Sequence, residues 1–165
     1  AEHDVYFGLI NYFPGHPEST LDQQLVVGEF HSQVDADHPV TAKVVSLDNT
    51  NGILQFIEYS QRLQALTFAS MTAPFQAENE IVFGTVDVNT GKPRQILYKA
   101  KGYAIGPLVI QDMNNRALLF IQSSPNAAWE LTSIPLSTAG HVRVVAKFSG
   151  EDYKNFAAAA HGFIH

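Results

Sequence analysis

Cysteine is absent from the 165-residue chain. That excludes disulfides, thiolate metal sites, iron–sulfur clusters and cysteine catalysis. Charge is also scarce, at 16% of residues. Much of the surface must therefore be Gln, Asn, Ser and Thr, as in secreted proteins, binding modules and assembling subunits. Basic residues number 10 against 16 acids, a formal net charge of -6. This argues against nucleic acid as a partner, because phosphate binding needs a basic face. No apolar run approaches the roughly 20 residues of a membrane-spanning helix. There is no Asn-x-Ser/Thr glycosylation acceptor. No leader-like segment opens the sequence. Ala1 fits the processed end of a secreted precursor, and equally the removal of an initiator Met. The expectation leans to a secreted or periplasmic protein, with a cytoplasmic one as the alternative.

What is present is a chain of strand signals. Apolar residues make up 45% of the sequence, enough for a real core in a chain of this length. With no linker, repeat or composition break, residues 1–165 read as one domain. Side chains of a strand alternate between its two faces. Residues 4–13, 20–30, 40–47, 53–59, 81–88, 94–103, 107–112, 116–122, 129–136 and 141–148 carry that alternation or a short apolar run. Pro14-Gly15-His16-Pro17, Asp48 to Gly52, Asn89 to Lys92 and Asn114-Asn115 punctuate them. Residues 60–72 read two ways: Gln61 to Leu66 are good helix formers, while Leu66-Thr67-Phe68 looks like strand, and a strand with an irregular start is the expectation. The pair from Pro107 to Gln122 is apolar on both faces, so it is expected to be central and covered on both sides. Residues 141–148 are expected to be half buried.

The tail changes period. Ser149 is a good N-cap, Asp152 stands at the capping-box spacing, and Tyr153, Phe156, Ala157 and Ala160 share one helical face. Gly162 suits a C-cap. The predicted fold is mainly β: an antiparallel barrel or sandwich of about ten strands, with one C-terminal helix over about 150–161 laid against it.

No motif specifies a reaction, and no residue is assigned a catalytic role. Serine, histidine and aspartate are plentiful, but none stands in a nucleophile-elbow context. Ala1-Glu2-His3 is the sharpest local pattern. A free amine followed by a third-position His wraps Cu(II) or Ni(II) in a square plane, which makes His3 a candidate ligand for adventitious copper or nickel. Four of the seven histidines (His3, His16, His31 and His38) share residues 1–42 with seven acids and no Lys or Arg. That is zinc-site or pH-switch chemistry without a recognisable ligand spacing. Asp87-x-Asn89-x-Gly91 resembles the start of a calcium loop, but the twelfth position is Tyr98, so a hairpin turn is expected.

Trp129, the one tryptophan, follows a polar loop, and Tyr103 ends a strand before Gly106-Pro107. Aromatic rings at strand ends stack on sugars or line pocket mouths, so both are candidate ligand-binding residues. The functional expectation is a non-catalytic binding domain for a small apolar or carbohydrate-like ligand. The alternative is a self-assembling subunit, a homo-oligomer of filament, capsid or toxin type. An enzyme with dispersed active-site residues is the third reading. Lys92, Arg94, Lys99 and Lys101 form a basic ribbon that either neutralises acids of its own chain or meets those of another copy.

Overall fold

The computed structural model describes residues 3–12, 22–31, 41–47, 52–72 and 79–162; for 3–12, 22, 29–31, 41–42 and 159–162 it describes the backbone alone. Eleven strands and one helix follow in order: β1 (His3–Tyr12), β2 (Asp22–His31), β3 (Thr41–Ser46), β4 (Ile53–Ser60), β5 (Ala65–Met71), β6 (Asn79–Val86), β7 (Pro93–Gly102), β8 (Ala104–Gln111), β9 (Arg116–Gln122), β10 (Trp129–Pro135), β11 (Arg143–Phe148) and α1 (Gly150–Gly162). All strand pairs are antiparallel. They form three meanders: β1-β2-β3, β4-β5-β6-β7 and β8-β9-β10-β11. The mainly β expectation with a terminal helix holds. Of the two architectures foreseen, the sheets face one another as open layers and do not close into a barrel.

The second sheet lies between the other two. Leu66, Phe68, Val82 and Val86 pack on Leu25, Val45 and Leu47 of the first-sheet segment. Ala69, Met71, Ile81 and Phe83 point the other way, onto Ile105, Leu108, Leu119 and Ile134 of the third sheet. The pleat explains this division, since register sets Met71 beside Ile81 and Phe68 beside Gly84 on opposite faces. The pair buried on both faces is thus β5–β6, not the 107–122 hairpin. In that hairpin Ala117, Leu119 and Ile121 are core, while Val109, on the other face, is 49% exposed. The third sheet is an outer layer.

Polar groups tie the layers together. Gln23 is fully buried, and its amide donates to the Leu54 carbonyl (2.7 Å) and accepts from the Leu54 N–H (2.8 Å). It completes the β4 backbone as a neighbouring strand would. Asp112, in the 3-10 turn Asp112–Asn114, accepts from the Ser60 hydroxyl (2.6 Å) and from the N–H groups of Gln61 (3.0 Å) and Arg62 (3.3 Å). That joins the β8–β9 turn to the β4–β5 turn. Asn115 takes the left-handed conformation there (φ 54°), which Asn tolerates. The Asp87–Lys92 segment is a hairpin turn, closed by Gly91 N–H donating to Asp87 O at 2.8 Å, with Gly91 at φ 71°.

The strand over 141–148 is shorter and more exposed than its alternation predicts. β11 begins at Arg143 and is an edge strand. Val142, Val144 and Val145 are 39%, 45% and 46% exposed. A bulge opposite Leu131 and Thr132 interrupts its period, and an edge strand has a neighbour on one side alone. Lys99 of the basic ribbon pairs with Glu80 on the adjacent strand at 3.3 Å, an exposed bridge worth little.

Candidate functional site

The outer face of the third sheet carries a cluster of aromatic rings, with Phe120 buried at its centre and partly exposed rings around it. Its strands contribute Phe120, Trp129 and Phe148, and register places Trp129 opposite both Gln122 and Phe148. Helix α1 adds Tyr153 and Phe156. The helix starts where the sequence predicts: the Ser149 hydroxyl accepts the Asp152 N–H at 3.1 Å and donates to the Asp152 carboxylate at 2.9 Å. That cap fixes the first turn and so the position of Tyr153.

Tyr153 stacks on Trp129, with ring centroids 3.9 Å apart and planes 12° from parallel. It meets Phe120 edge-on at 5.3 Å. Its hydroxyl lies over the backbone of Gly106. A Cβ at that position would clash with the hydroxyl and come within 2.9 Å of Phe120 Cβ. Glycine thus makes room for the close approach of Tyr153, and a side chain here would have to displace the Tyr153 ring and crowd Phe120. Phe156 lies 5.4 Å from Phe120 and 6.3 Å from Phe148, yet it stays 47% exposed. Burial of the Tyr153 ring pushes its phenol above the ordinary tyrosine value.

Gln122 organises this end of the sheet. It is buried, and its side-chain amide donates to the carbonyls of Pro125 (3.2 Å) and Ala127 (3.0 Å). Those bonds shape the loop that delivers Trp129. Its own carbonyl accepts the Tyr103 N–H at 2.7 Å. The two predicted ligand-binding residues thus flank one residue, Trp129 on the β10 side and Tyr103 at the turn into β8. Both are half-buried. Gln122 was missed from sequence. Its signal was a lone amide closing the apolar run Leu118 to Ile121.

Arg116 holds the other end. Its guanidinium donates to the Ser133 hydroxyl, to the Ser133 carbonyl (2.9 Å) and to the His141 carbonyl (2.6 Å), so it fastens the segment leading into β11. On the inward side, burial and then the nearby Glu130 carboxylate push the Tyr98 phenol up. Glu130 pairs with Lys147 at 3.0 Å.

Among the described residues no group of three His, Asp or Glu side chains is arranged to hold a metal ion. His3 opens β1, and its backbone register sets it opposite His31. His16, His38 and His165 lie outside the described residues, as do Ala1 and Glu2 of the proposed amino-terminal copper motif. No helix among the described residues is long and apolar enough to cross a membrane. Comparisons with protein-family models, with curated proteins and with solved structures gave no match.

Proposed function

We propose that this chain is a non-catalytic binding module that takes a small, flat apolar or carbohydrate-like ligand on the aromatic end of its third sheet. The observation that carries the reading is the Trp129–Tyr153 stack with half-exposed Phe156 beside it. Rings held by a rigid sheet lose little entropy on binding, and a sugar ring or aryl group offers them a matching face. Tyr103, across Gln122 from Trp129, supplies a second aromatic edge with a phenolic hydroxyl. A low-charge, amide-rich surface suits a secreted or periplasmic location for such a module.

Trp129 is the single tryptophan, so its emission reports on this site alone. Titration with a panel of glycans and small apolar compounds is expected to shift or quench that emission and to raise the melting temperature. Trp129→Ala should abolish the thermal shift. A panel without any response, together with ligand-free protein by native mass spectrometry from its source, removes the reading.

Self-assembly is the second reading. Its support is the β11 edge, where Val144 and Val145, with Val142 just before the strand, stay substantially exposed and where, among the described residues, a strand pairs on one side alone. Exposed apolar edges pair with other strands unless blocked. Light scattering after size exclusion separates the two readings: a strict monomer at high concentration removes assembly, and concentration-dependent association favours it.

A further inference from the structure

Helix α1 lies on the third sheet with little to fasten it. Of its described side chains, Tyr153 and Ala157 are half-buried and the rest are exposed. Among the described residues no hydrogen bond or ion pair joins the helix to the strands, and its cap bonds stay between Ser149 and residues 152 and 153. The helix is held by ring contacts, from Tyr153 to Trp129 and Phe120 and from Phe156 to Phe120 and Phe148. An element with few buried contacts and no polar tie opens at low cost. The floor beneath it is firmer. Phe120 is buried, and Phe120, Trp129 and Phe148 stand on three paired strands. The Gln122 amide fixes the loop before Trp129.

Tyr153 fills a slot in that floor. Its ring lies flat on the indole at 3.9 Å and meets Phe120 edge-on at 5.3 Å. Its hydroxyl sits over Gly106, where the missing Cβ leaves room. A flat ligand cannot stack on that face of Trp129 while Tyr153 is there. We propose that the ligand slot of this module is the one Tyr153 fills, that the ligand is a phenol-like aryl compound, and that it enters by displacing Tyr153 and lifting α1. This rests on the binding-module reading above. The slot favours an aryl ring over a sugar, because its occupant makes a parallel contact with the indole and an edge contact with Phe120, the two geometries that aromatic pairs prefer. The Tyr153 hydroxyl has no hydrogen-bond partner among the described residues, so its departure breaks no such bond. The helix then acts as a built-in competitor, and apparent affinity is reduced by the fraction of molecules in which α1 is open.

The test titrates p-cresol, the free side chain of tyrosine, into full-length protein and follows the indole N–H resonance of Trp129, the single tryptophan. Methyl β-glucoside is the sugar control. In the wild type p-cresol should shift that resonance and speed hydrogen exchange of the α1 amides, while those of β9 and β10 keep their protection. Removing the competitor should tighten binding: Tyr153→Ala is expected to bind p-cresol about tenfold more tightly than the wild type, and Tyr153→Phe, which keeps the stack, no more tightly. Amide spectra of β5 and β6 in the variants must match the wild type. The exchange measurement needs no variant, so it decides the matter even where Tyr153→Ala fails to fold. Saturating p-cresol that leaves α1 exchange unchanged or slowed overturns the displacement, and so does equal affinity in Tyr153→Ala and wild type; both leave the binding module standing. Wild-type protein that binds the glucoside and not p-cresol overturns the aryl slot, again with the module intact. No response to p-cresol in either protein also overturns the inference, and it takes the module with it only when the wider glycan and apolar panel is silent too.

Discussion

The second and third sheets are written in nearly the same alphabet, and they end up in different environments. β5 and β6 are apolar on both faces, and so are β8 and β9. In the second sheet both faces are covered, one by the first sheet and one by the third. In the third sheet the inner face is core, and the outer face is covered at one end by Tyr153 and Phe156 and left open at Val109. Two-faced apolarity therefore marks a strand that can be buried twice. Which strand is buried twice depends on what packs above it. The open face is the one that carries the candidate site.

The largest test of that contrast is a truncation in the shared core. Phe83 is fully buried between the second and third sheets, so Phe83→Ala should cost about 3–5 kcal/mol through lost burial and a cavity. Chemical denaturation of this variant is expected to show a large drop in midpoint at unchanged slope. A loss under about 1 kcal/mol would mean that the two layers do not share one packed core.

Next comes the clamp between the first and second sheets. Gln23→Ala leaves the buried N–H and C=O of Leu54 without their side-chain partners. Each orphaned group costs about 1–3 kcal/mol. Denaturation should again show the loss. Hydrogen exchange should locate it, with the Leu54 amide losing protection before those of β9.

Tyr153→Ala is expected to act on the outer layer alone. It removes the stack on Trp129 and the packing over Gly106, worth about 1–2 kcal/mol. Trp129 emission should move to the red, and α1 amides should exchange faster while β5 and β6 keep their protection. Equal loosening of the middle sheet would erase the distinction between the layers.

Asp112 offers a smaller and pH-dependent effect. The Ser60 hydroxyl bond, with the N–H groups of Gln61 and Arg62 and the Arg62 guanidinium, outweighs desolvation and holds its carboxyl below the usual aspartate range. A carboxyl depressed in the folded state contributes stability above its unfolded pKa, and that contribution is lost as pH falls through the folded value. Asp112→Asn should therefore lower stability at neutral pH, by less than about 1 kcal/mol because solvent screens this largely exposed carboxylate. The gap to wild type should close in strong acid, as melting temperatures across a pH series would show.

The smallest expected effect is at Val109, half exposed on the open face. Val109→Thr should change stability by less than about 0.5 kcal/mol. A cost of several times that would reveal a cover over this face.

Much of the local structure was legible in the residues. Alternation located most of the strands within a few positions, because a two-residue period suits a pleated strand; over 60–72 it did not, since Gln61 to Leu66 are also good helix formers, and the structure has a turn there followed by β5. Ser149 with Asp152 announced the helix start, since a hydroxyl three residues before a free N–H is a local device. Asn115 and Gly91 marked their turns through conformations that few other residues adopt. The site was half legible. Trp129 and Tyr103 stood out as ring residues at strand ends. Gln122, which links the loop before one to the backbone of the other, and Tyr153, which covers one face of the indole, did not.

The sequence by itself determined the strand periods, the turns, the helix and the apolar character of both faces of the core strands. Those follow from backbone sterics and from side-chain chemistry within a few residues. The tertiary structure alone decided that β5–β6 is the doubly covered pair, that β11 stands at an edge with its valines exposed, and that His3 stands opposite His31 in the backbone register. Each of these depends on contacts between segments tens of residues apart, and a local period carries no information about which distant face will arrive to cover it.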